Sequence, residues 1–181
     1  MNICLFSSSS ENISSLYQQD ARQLGEYIGS NGYTLVYGGA NVGLMEVCAE
    51  ATHVAGGLLI GIIPDFVKEK NLVSQYIDEV FFVGNLAERK EMMMEYADIF
   101  VVLPGGFGTF DEVFEVLSSA QIGTHDKKVV FLNSNGFYND LLRQLEKCFV
   151  EKFIDVTYKR QYLIANTVEE CISLIEKENK K

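Results

Sequence analysis

Short apolar runs alternate with longer amphipathic segments along almost the whole chain. The runs read NICLF, YTLVYGG, GGLLIGIIP, YIDEVFFV, DIFVVLPGG, KKVVFLN and YLIA. Most are apolar at successive positions, which is typical of strands buried on both faces of a parallel sheet. Parallel neighbours need crossovers, and right-handed helical crossovers cover both faces of the sheet. The sequence therefore predicts an α/β fold, a doubly wound parallel sheet in a Rossmann-like three-layer sandwich.

The segments between the apolar runs have helical periodicity. They read SSLYQQDARQLGEYIGSNG, the stretch from about Val42 to Val54, NLAERKEMMMEYA, TFDEVFEVLSSAQ, FYNDLLRQLEKCFVEKF and TVEECISLIEKE. In the first segment, one apolar stripe is formed by Leu16, Ala21, Leu24 and Ile28. The chain has 181 residues, 48% of them hydrophobic, and no linker-like or repeated segment. We therefore expect a single Rossmann-like nucleotide-binding domain over residues 1–181.

Charge and cysteine usage narrow the functional classes. The formal net charge is -10, so attraction to nucleic acids or to an anionic membrane is not expected. No apolar run reaches the roughly 20 residues of a membrane span, and MNICLF does not resemble a secretion signal. The four cysteines are far apart in sequence, which argues against a zinc site: Cys4, Cys48, Cys148 and Cys171. We interpret them as reduced core thiols of a cytoplasmic protein without a bound metal.

Three unusual stretches each lie between a predicted strand and the next helix. They are SSSS (Ser7–Ser10), YGGANVG (Tyr37–Gly43) and PGGFGT (Pro104–Thr109). In a doubly wound sheet such loops meet at the carboxyl ends of the strands, where ligands bind. N–H groups at a helix start attract anions, and glycines let an anion approach the backbone closely. We therefore expect a phosphate or phosphosugar here. The site is not a P-loop, because no Gly-Lys-Ser/Thr follows.

Arg89 interrupts the apolar face of the helix NLAERKEMMMEYA, which otherwise contains Leu86, Met93 and Tyr96. Because a guanidinium keeps its charge, an inward Arg89 needs a carboxylate or phosphate partner. The alternative is a side chain that reaches solvent or makes a purely structural ion pair. Lys90, next to it, is by default a solvated surface lysine.

Two interpretations of Glu112 remain open. With Thr109 it fits a capping box, in which each side chain bonds a backbone N–H at the helix start. On the first helical turn beside the glycine loop, its carboxylate would also face a bound phosphosugar. Neither histidine indicates catalysis: we expect His53 to be partly buried and His125 to lie in a loop.

The segment PGGFGTFDE is similar to the PGGxGTxxE signature of the LONELY GUY (LOG) family of cytokinin-activating phosphoribohydrolases, long labelled lysine decarboxylases. LVYGGANVGLM, GIIP, ERKEMM and AQIGTHDKKVVFLNSNGFYNDLL also resemble family motifs, so the resemblance extends from about Leu5 to Ile154. It implies hydrolysis of the N-glycosidic bond of a nucleoside 5'-monophosphate to free base and ribose 5-phosphate. It also implies a homodimer with active sites near the subunit interface, and no cofactor. Amino-acid decarboxylation has no sequence support, because no lysine stands out as a pyridoxal-phosphate site.

Carried over residue by residue, the resemblance implies two catalytic side chains, Arg89 and Glu112. The implied substrate-binding positions are Lys90, Gly105, Gly106, Phe107, Gly108, Thr109 and Ser118, and the set is completed by Ser9 and Gly39 in the other two loops. The departures from the family pattern are Ser8 and Glu46 for glycines, Ala87 for histidine, Ser119 for tryptophan and Lys128 for proline. The expected substrate is AMP or a cytokinin-type N6-substituted AMP. The alternative is a non-catalytic nucleotide-binding module of the same fold.

Overall fold

The computed structural model describes residues 1–180, and within them seven parallel strands form one sheet. The strands are β1 (Asn2–Phe6), β2 (Thr34–Tyr37), β3 (Leu58–Pro64), β4 (Glu79–Val83), β5 (Ile99–Val102), β6 (Val129–Leu132) and β7 (Tyr162–Ala165). Their spatial order is β4-β3-β2-β1-β5-β6-β7. The chain builds the sheet outward from β1 to β4, then crosses to β5 on the other side of β1. The switch point therefore lies between β1 and β5, where ligands bind in such sheets.

Helices cover both faces of this sheet. They are α1 (Ser15–Ser30), α2 (Gly43–Val54), α3 (Asp65–Glu69), α4 (Leu86–Tyr96), α5 (Phe107–Gln121), α6 (Asn139–Val150) and α7 (Val168–Asn179). Helices α1, α2 and α7 pack on one face, and α4, α5 and α6 pack on the other. Side chains of β1 alternate between the two layers, with Leu5 in the first and Phe6 in the second. The predicted doubly wound α/β sandwich is confirmed.

One residue of the predicted α1 stripe lies outside the core. Ala21, Leu24 and Ile28 are buried as predicted, but Leu16 is 40% exposed. It belongs to the first turn of α1, directly after the capping residue Ser14. The prediction for Leu16 is therefore wrong, because this turn precedes the part of the helix that covers the sheet.

The prediction of partial burial for His53 is also wrong. His53 is exposed in the last turn of α2, and its ring lies 5.3 Å from that of Tyr76. Its chain neighbour Val54 is 79% exposed. This end of α2 therefore lies at the surface, although its sequence is apolar. His125 lies in the loop after α5, as predicted.

The four cysteines are free thiols in the described part of the chain. Cys4, Cys48 and Cys171 are buried, as expected for core thiols, and Cys148 is half-buried. None of the helices within residues 1–180 is long and apolar enough to cross a membrane.

Candidate active site

The serine loop and the two glycine loops meet at the carboxyl edge of the sheet, around the switch point. The backbone N–H of Ser8 donates to the carbonyl of Pro104 over 3.2 Å, and Leu44 donates to the carbonyl of Ser8 over 2.9 Å. Gly43 has a φ of 59°, and a Cβ at this position would overlap the Ser8 carbonyl. The structure thus brings the three stretches together through their backbones, and it explains why a glycine stands at position 43.

The three helices that follow these loops begin differently. Helix α1 is capped by the Ser14 hydroxyl, and the N–H of Leu44, the second residue of α2, donates to the Ser8 carbonyl. Within the described residues, α5 begins at Phe107 and its N-cap residue, Gly106, forms no side-chain cap; Gly106, Phe107 and Gly108 are exposed. Phe107 is 94% exposed. Because uncapped N–H groups and the helix dipole attract anions, α5 presents the open anion-binding end at this edge.

The predicted capping box is not formed, so that interpretation of Glu112 is wrong. The helix starts at Phe107, two residues before Thr109, which lies buried inside the first turn. The Thr109 side chain packs so closely on Gly105 that a Cβ there would overlap its hydroxyl. Thr109 therefore fixes the shape of the glycine loop, and Glu112 is free to turn inward.

Glu112 pairs with Arg89, which places the two predicted catalytic side chains in direct contact. Nη1 of Arg89 lies 2.8 Å from Oε1 of Glu112, and the side chains are 13% and 8% exposed. Nε of Arg89 donates to the carbonyl of Ile62 over 3.2 Å. The guanidinium also lies against Gly38, where any Cβ would overlap Nη2. Arg89 is therefore inward and paired. Leu86, predicted on the same stripe, is 48% exposed.

Burial dominates the electrostatics of this pair. Loss of water raises the pKa of Glu112 above its ordinary value of 4.5, although the Arg89 guanidinium acts to lower it. A buried carboxylate paired with a permanent cation is typical of functional sites. The pair lies beneath the open end of α5, one turn from the exposed glycines.

Lys90 is not the solvated surface lysine that its default interpretation predicts. Its Nζ lies 2.9 Å from a carboxylate oxygen of Asp111 and 3.0 Å from one of Glu115, and its side chain is 11% exposed. Burial acts to lower the pKa of Lys90, but hydrogen bonds to the two carboxylates outweigh it and the pKa is raised. The sequence analysis missed Asp111 and Glu115. Their i, i+4 spacing puts them on one face, but nothing in the sequence names Lys90 as the partner.

The second loop is held by its own backbone contacts. Gly39 is buried with a φ of 69°, and its carbonyl accepts a hydrogen bond from Ser74 over 2.9 Å. Asn41 donates to the carbonyl of Leu72 over 2.9 Å. Glu46 is half-buried on the first turn of α2, and burial raises the pKa of its carboxyl above the ordinary value. Gly39 thus shapes this loop from below, while Gly38 contacts the Arg89 side chain directly.

Two of the predicted binding residues lie apart from the Arg89–Glu112 pair. Ser9 is exposed in the serine loop. Ser118 is exposed on the outer face of α5, next to Phe114 and Ile122. Because α5 rises about 1.5 Å per residue, Ser118 lies about 16 Å along the helix from Phe107. A single chain does not bring Ser118 to the Arg89–Glu112 pair.

The sequence analysis also missed an aromatic cleft beside the glycine loop. It has a volume of about 260 Å³ and is lined by Ser8, Ile13, Tyr17, Pro104, Gly105, Gly106 and Phe137. The rings of Tyr17 and Phe137 meet edge to face at 5.9 Å. No group of acidic, histidine or cysteine side chains suited to a metal ion occurs within residues 1–180.

Known proteins resemble this chain over nearly its whole length. The family model described as "Possible lysine decarboxylase" matches residues 45–175. The chain is 40% identical to cytokinin riboside 5'-monophosphate phosphoribohydrolase LOG3 of Arabidopsis thaliana, with 96% of this chain and 81% of the relative covered. It is 37% identical to probable cytokinin riboside 5'-monophosphate phosphoribohydrolase LOGL2 of Oryza sativa subsp. japonica, with 96% and 71% covered.

Solved structures share the fold. The molybdenum cofactor binding protein from Rippkaea orientalis superimposes with a TM-score of 0.74 at 29% identity, covering 97% of this chain and 95% of that one. The molybdenum cofactor carrier protein from Chlamydomonas reinhardtii gives a TM-score of 0.76 at 23% identity, covering 99% and 98%. The second likeness extends to the fold only.

Proposed function

Because the chain belongs to the LOG family, whose family model has the older description of a possible lysine decarboxylase, we propose that it hydrolyses the N-glycosidic bond of a nucleoside 5'-monophosphate. The products are the free base and ribose 5-phosphate, and the substrate is AMP or a cytokinin-type N6-substituted AMP. One observation carries the assignment within the structure: the buried Arg89–Glu112 ion pair lies beneath the uncapped start of α5. A phosphate site and a carboxylate for the sugar are thereby one helical turn apart.

The 5'-phosphate binds at the N-terminus of α5. The backbone N–H groups from Gly106 to Thr109 point out of the first turn, and the helix dipole favours the negative charge. Gly105 lets the loop fold over Thr109, and Phe107 at 94% exposure offers its ring to the ligand. Ser9 approaches from the serine loop. Binding at the phosphate positions the ribose for the chemical step, since remote binding energy orients the reacting carbon.

Glu112 and Arg89 act on the ribose. Cleavage of an N-glycosidic bond builds oxocarbenium character on the sugar, and an ionised carboxylate stabilises that charge or orients the attacking water. Arg89 fixes the position of the Glu112 carboxylate and offers donors to a ribose or phosphate oxygen. This chemistry uses side chains and water.

A homodimer completes the site in this proposal. The outer face of α5 exposes Phe114 at 37% and Ile122 at 79%, with Ser118 between them. Pairing of two such faces would bury these apolar side chains and bring a second Ser118 towards the base. We place the protein in the cytoplasm, where free thiols such as those of its four cysteines persist. Cell fractionation tests this location.

Adenine release from AMP tests the activity. The purified protein is incubated with AMP and with an N6-substituted AMP, and free base is quantified by chromatography. Glu112→Gln should lower kcat by at least about 100-fold, the scale of a positioned acid or base. Glu91→Gln, which removes an exposed carboxylate on α4, is the matched control. Nucleotides that raise the melting temperature without base release would instead identify a non-catalytic nucleotide-binding module.

A further inference from the structure

Three polar side chains lie close together next to the second loop, on the face of the sheet that α2 covers. Tyr37 at the end of β2 is fully buried, Ser74 is 4% exposed, and Glu46 is half-buried on the first turn of α2. The Tyr37 hydroxyl and Oε2 of Glu46 are both buried, and neither has a hydrogen-bond partner within residues 1–180. Buried polar atoms usually have such a partner, so this group is unusual in an otherwise apolar layer.

Ser74 lies between the other two side chains. Burial raises the pKa of both Glu46 and Tyr37, and in each case the Ser74 hydroxyl acts to lower it, which places that hydroxyl beside both groups. A hydroxyl donates one hydrogen bond, accepts two and rotates to suit its neighbours. One acceptor position is used by the backbone N–H of Tyr76 over 3.3 Å. The remaining donor and acceptor suit the Glu46 carboxyl and the Tyr37 hydroxyl.

The chain segment that contains Ser74 holds the second loop. We call residues 72–77 the crossover segment, because they lie between α3 and β4. The N–H of Asn41 donates to the carbonyl of Leu72 over 2.9 Å. The N–H of Ser74 donates to the carbonyl of Gly39 over 2.9 Å, and an antiparallel bridge lies between these two bonds. The crossover segment thus pairs with the second loop much as one short strand pairs with another.

The second loop in turn encloses Arg89. Gly38 lies between Tyr37 and Gly39 in the chain, and a Cβ at position 38 would overlap Nη2 of Arg89. Both neighbours of Gly38 contact the crossover segment, Tyr37 through its side chain and Gly39 through its carbonyl. Because a displacement of about 1 Å can reduce an enzymatic rate about 100-fold, the position of this segment bears on the position of Arg89.

Glu46 is the member of the group that distinguishes this chain, because the LOG pattern has a glycine at this position. A glycine has no side chain that could reach Ser74. Glu50, one turn further along α2, acts to raise the pKa of Glu46. Glu50 itself lies 3.8 Å from Arg22 and accepts a hydrogen bond from the Tyr76 hydroxyl over 3.4 Å. Helix α2 therefore reaches the crossover segment through two carboxyl groups, and only the first of them adjoins the buried Ser74.

We propose that Glu46 is a positioning residue: through Ser74 it connects the crossover segment to α2, and the segment holds the second loop against the Arg89 guanidinium. Glu46 touches no substrate and acts through Arg89. The expected effect on rate rests on the proposed function, whereas the connection between α2 and the crossover segment is a property of the fold and is tested separately.

Hydrogen exchange tests the connection without any substrate. The amides of Asn41 and Ser74 donate the bonds between loop and segment, so their protection reports how firmly the two are held. Glu46→Ala should raise the exchange rate of both amides about tenfold and leave the amides of β1 and β5 unchanged. Alanine is a good helix former, so α2 itself is not weakened. Glu26→Gln, which changes an exposed carboxylate on α1, is the control. Unchanged exchange at both amides in Glu46→Ala overturns the proposal.

Kinetics separate positioning from ligand binding. Glu46→Ala should lower kcat for AMP roughly tenfold and leave KM within about twofold, because Arg89 is displaced and the phosphate site is not. Glu46→Gln keeps the shape and the hydrogen-bonding capacity of the side chain and should restore most of the rate. A higher KM with unchanged kcat would place Glu46 in ligand binding. Equal losses in the two variants would trace the effect to the charge. Either result contradicts the proposal.

Failure of the proposed function leaves a separate readout. If the wild type releases no base from any nucleotide tested, the exchange of the Asn41 amide in the wild type, Glu46→Ala, Ser74→Ala and the double variant still forms a thermodynamic cycle. The double variant should then be no less protected than Ser74→Ala alone, since Glu46 acts through Ser74. Additive losses of protection overturn the proposal, whatever the activity of the protein.

Discussion

At the scale of single residues, Gly38 shows how closely the Arg89 guanidinium is enclosed. Its missing Cβ is the space that Nη2 of Arg89 occupies. The same guanidinium is held by the Ile62 carbonyl and by Glu112. Contacts with a loop, a strand and a helix thus fix one side chain, as a precisely positioned functional group requires.

Gly38→Ala should therefore separate activity from stability. The new methyl group pushes the end of the flexible Arg89 side chain aside, so kcat should fall roughly 10- to 100-fold. The free energy of unfolding should change by less than about 1 kcal/mol, since no backbone is displaced. Adenine release and urea denaturation measure the two effects. Gly84→Ala, where a Cβ meets only ordinary contacts, is the control. Full activity in Gly38→Ala would contradict the proposed role of Arg89.

Glu112 should give the protein a characteristic pH dependence. Burial raises the pKa of Glu112 above 4.5 in the folded state, so the folded protein binds this proton more tightly than the unfolded chain. Stability from this group is present below the unfolded pKa and is lost as pH rises through the folded pKa. The melting temperature of the wild type, relative to Glu112→Gln, should thus decline as pH rises above 4.5. A constant difference across this window would show that burial does not perturb Glu112.

The same shift sets the pH range of activity. In the proposed mechanism an ionised Glu112 stabilises the oxocarbenium, so kcat/KM should fall as the pH drops towards the raised pKa. The acid limb is expected above pH 4.5, the ordinary value for a glutamate. A pH profile of AMP hydrolysis measures it. A limb below 4.5 would assign the essential ionisation to another group.

At the scale of elements, the start of α5 shows where sequence patterns suffice and where they fail. The glycines predicted a helix end suited to an anion, because glycine is costly unless something must approach the backbone closely. The capping-box pattern of Thr109 and Glu112 was wrong, because a tertiary partner, Arg89, competes for the carboxylate. That partner lies 23 positions earlier in the chain, so no local pattern contains it. Helices α1 and α4 were predicted, but not the exposure of Leu16 and Leu86.

A charged cap at Gly106 should stabilise α5 and weaken nucleotide binding at the same time. In Gly106→Asp the carboxylate would cap the open N–H groups, with a stability gain of a few tenths of a kcal/mol over glycine. It would also occupy the phosphate site and repel the ligand, so KM for AMP should rise at least about tenfold. Gly106→Asn adds a similar cap without the charge and should raise KM less. Equal KM values in both variants would argue against a phosphate at this helix end.

At the scale of the whole molecule, the apolar runs predicted the sheet because burial on both faces leaves a signature in every strand. Two features had no such signature. The short helix α3 and the chain after it return over β3, and they contact the second loop through Leu72 and Ser74. The outer face of α5 is a second case. Its apolar residues are exposed in one chain and would be buried only in the proposed pair of chains.

Ile122→Lys tests that pairing. Ile122 and Val54 are both 79% exposed at the end of a helix, α5 and α2 respectively. A lysine suits either helix end in an isolated chain. If two α5 faces pair, Ile122→Lys should shift the protein to a monomer in analytical ultracentrifugation and lower adenine release, whereas Val54→Lys should do neither. Unchanged sedimentation in Ile122→Lys would exclude this face as the interface.

The hydrogen bond from Leu44 of α2 to the Ser8 carbonyl has a consequence for how the proposed site would discriminate among nucleotides. Of the three helices that follow the loops in residues 1–180, α1 has a side-chain cap and α2 donates to the Ser8 carbonyl, whereas the start of α5 has neither contact. In the proposed function, one phosphoryl group binds at that end. A second phosphoryl group at the start of α2 would meet the carbonyl oxygen of Ser8, which already accepts a hydrogen bond from Leu44. The proposed site should therefore prefer nucleotides with a single phosphoryl group. In a mixed nucleotide pool, its occupancy should follow the monophosphate fraction and not the total concentration of adenine nucleotides.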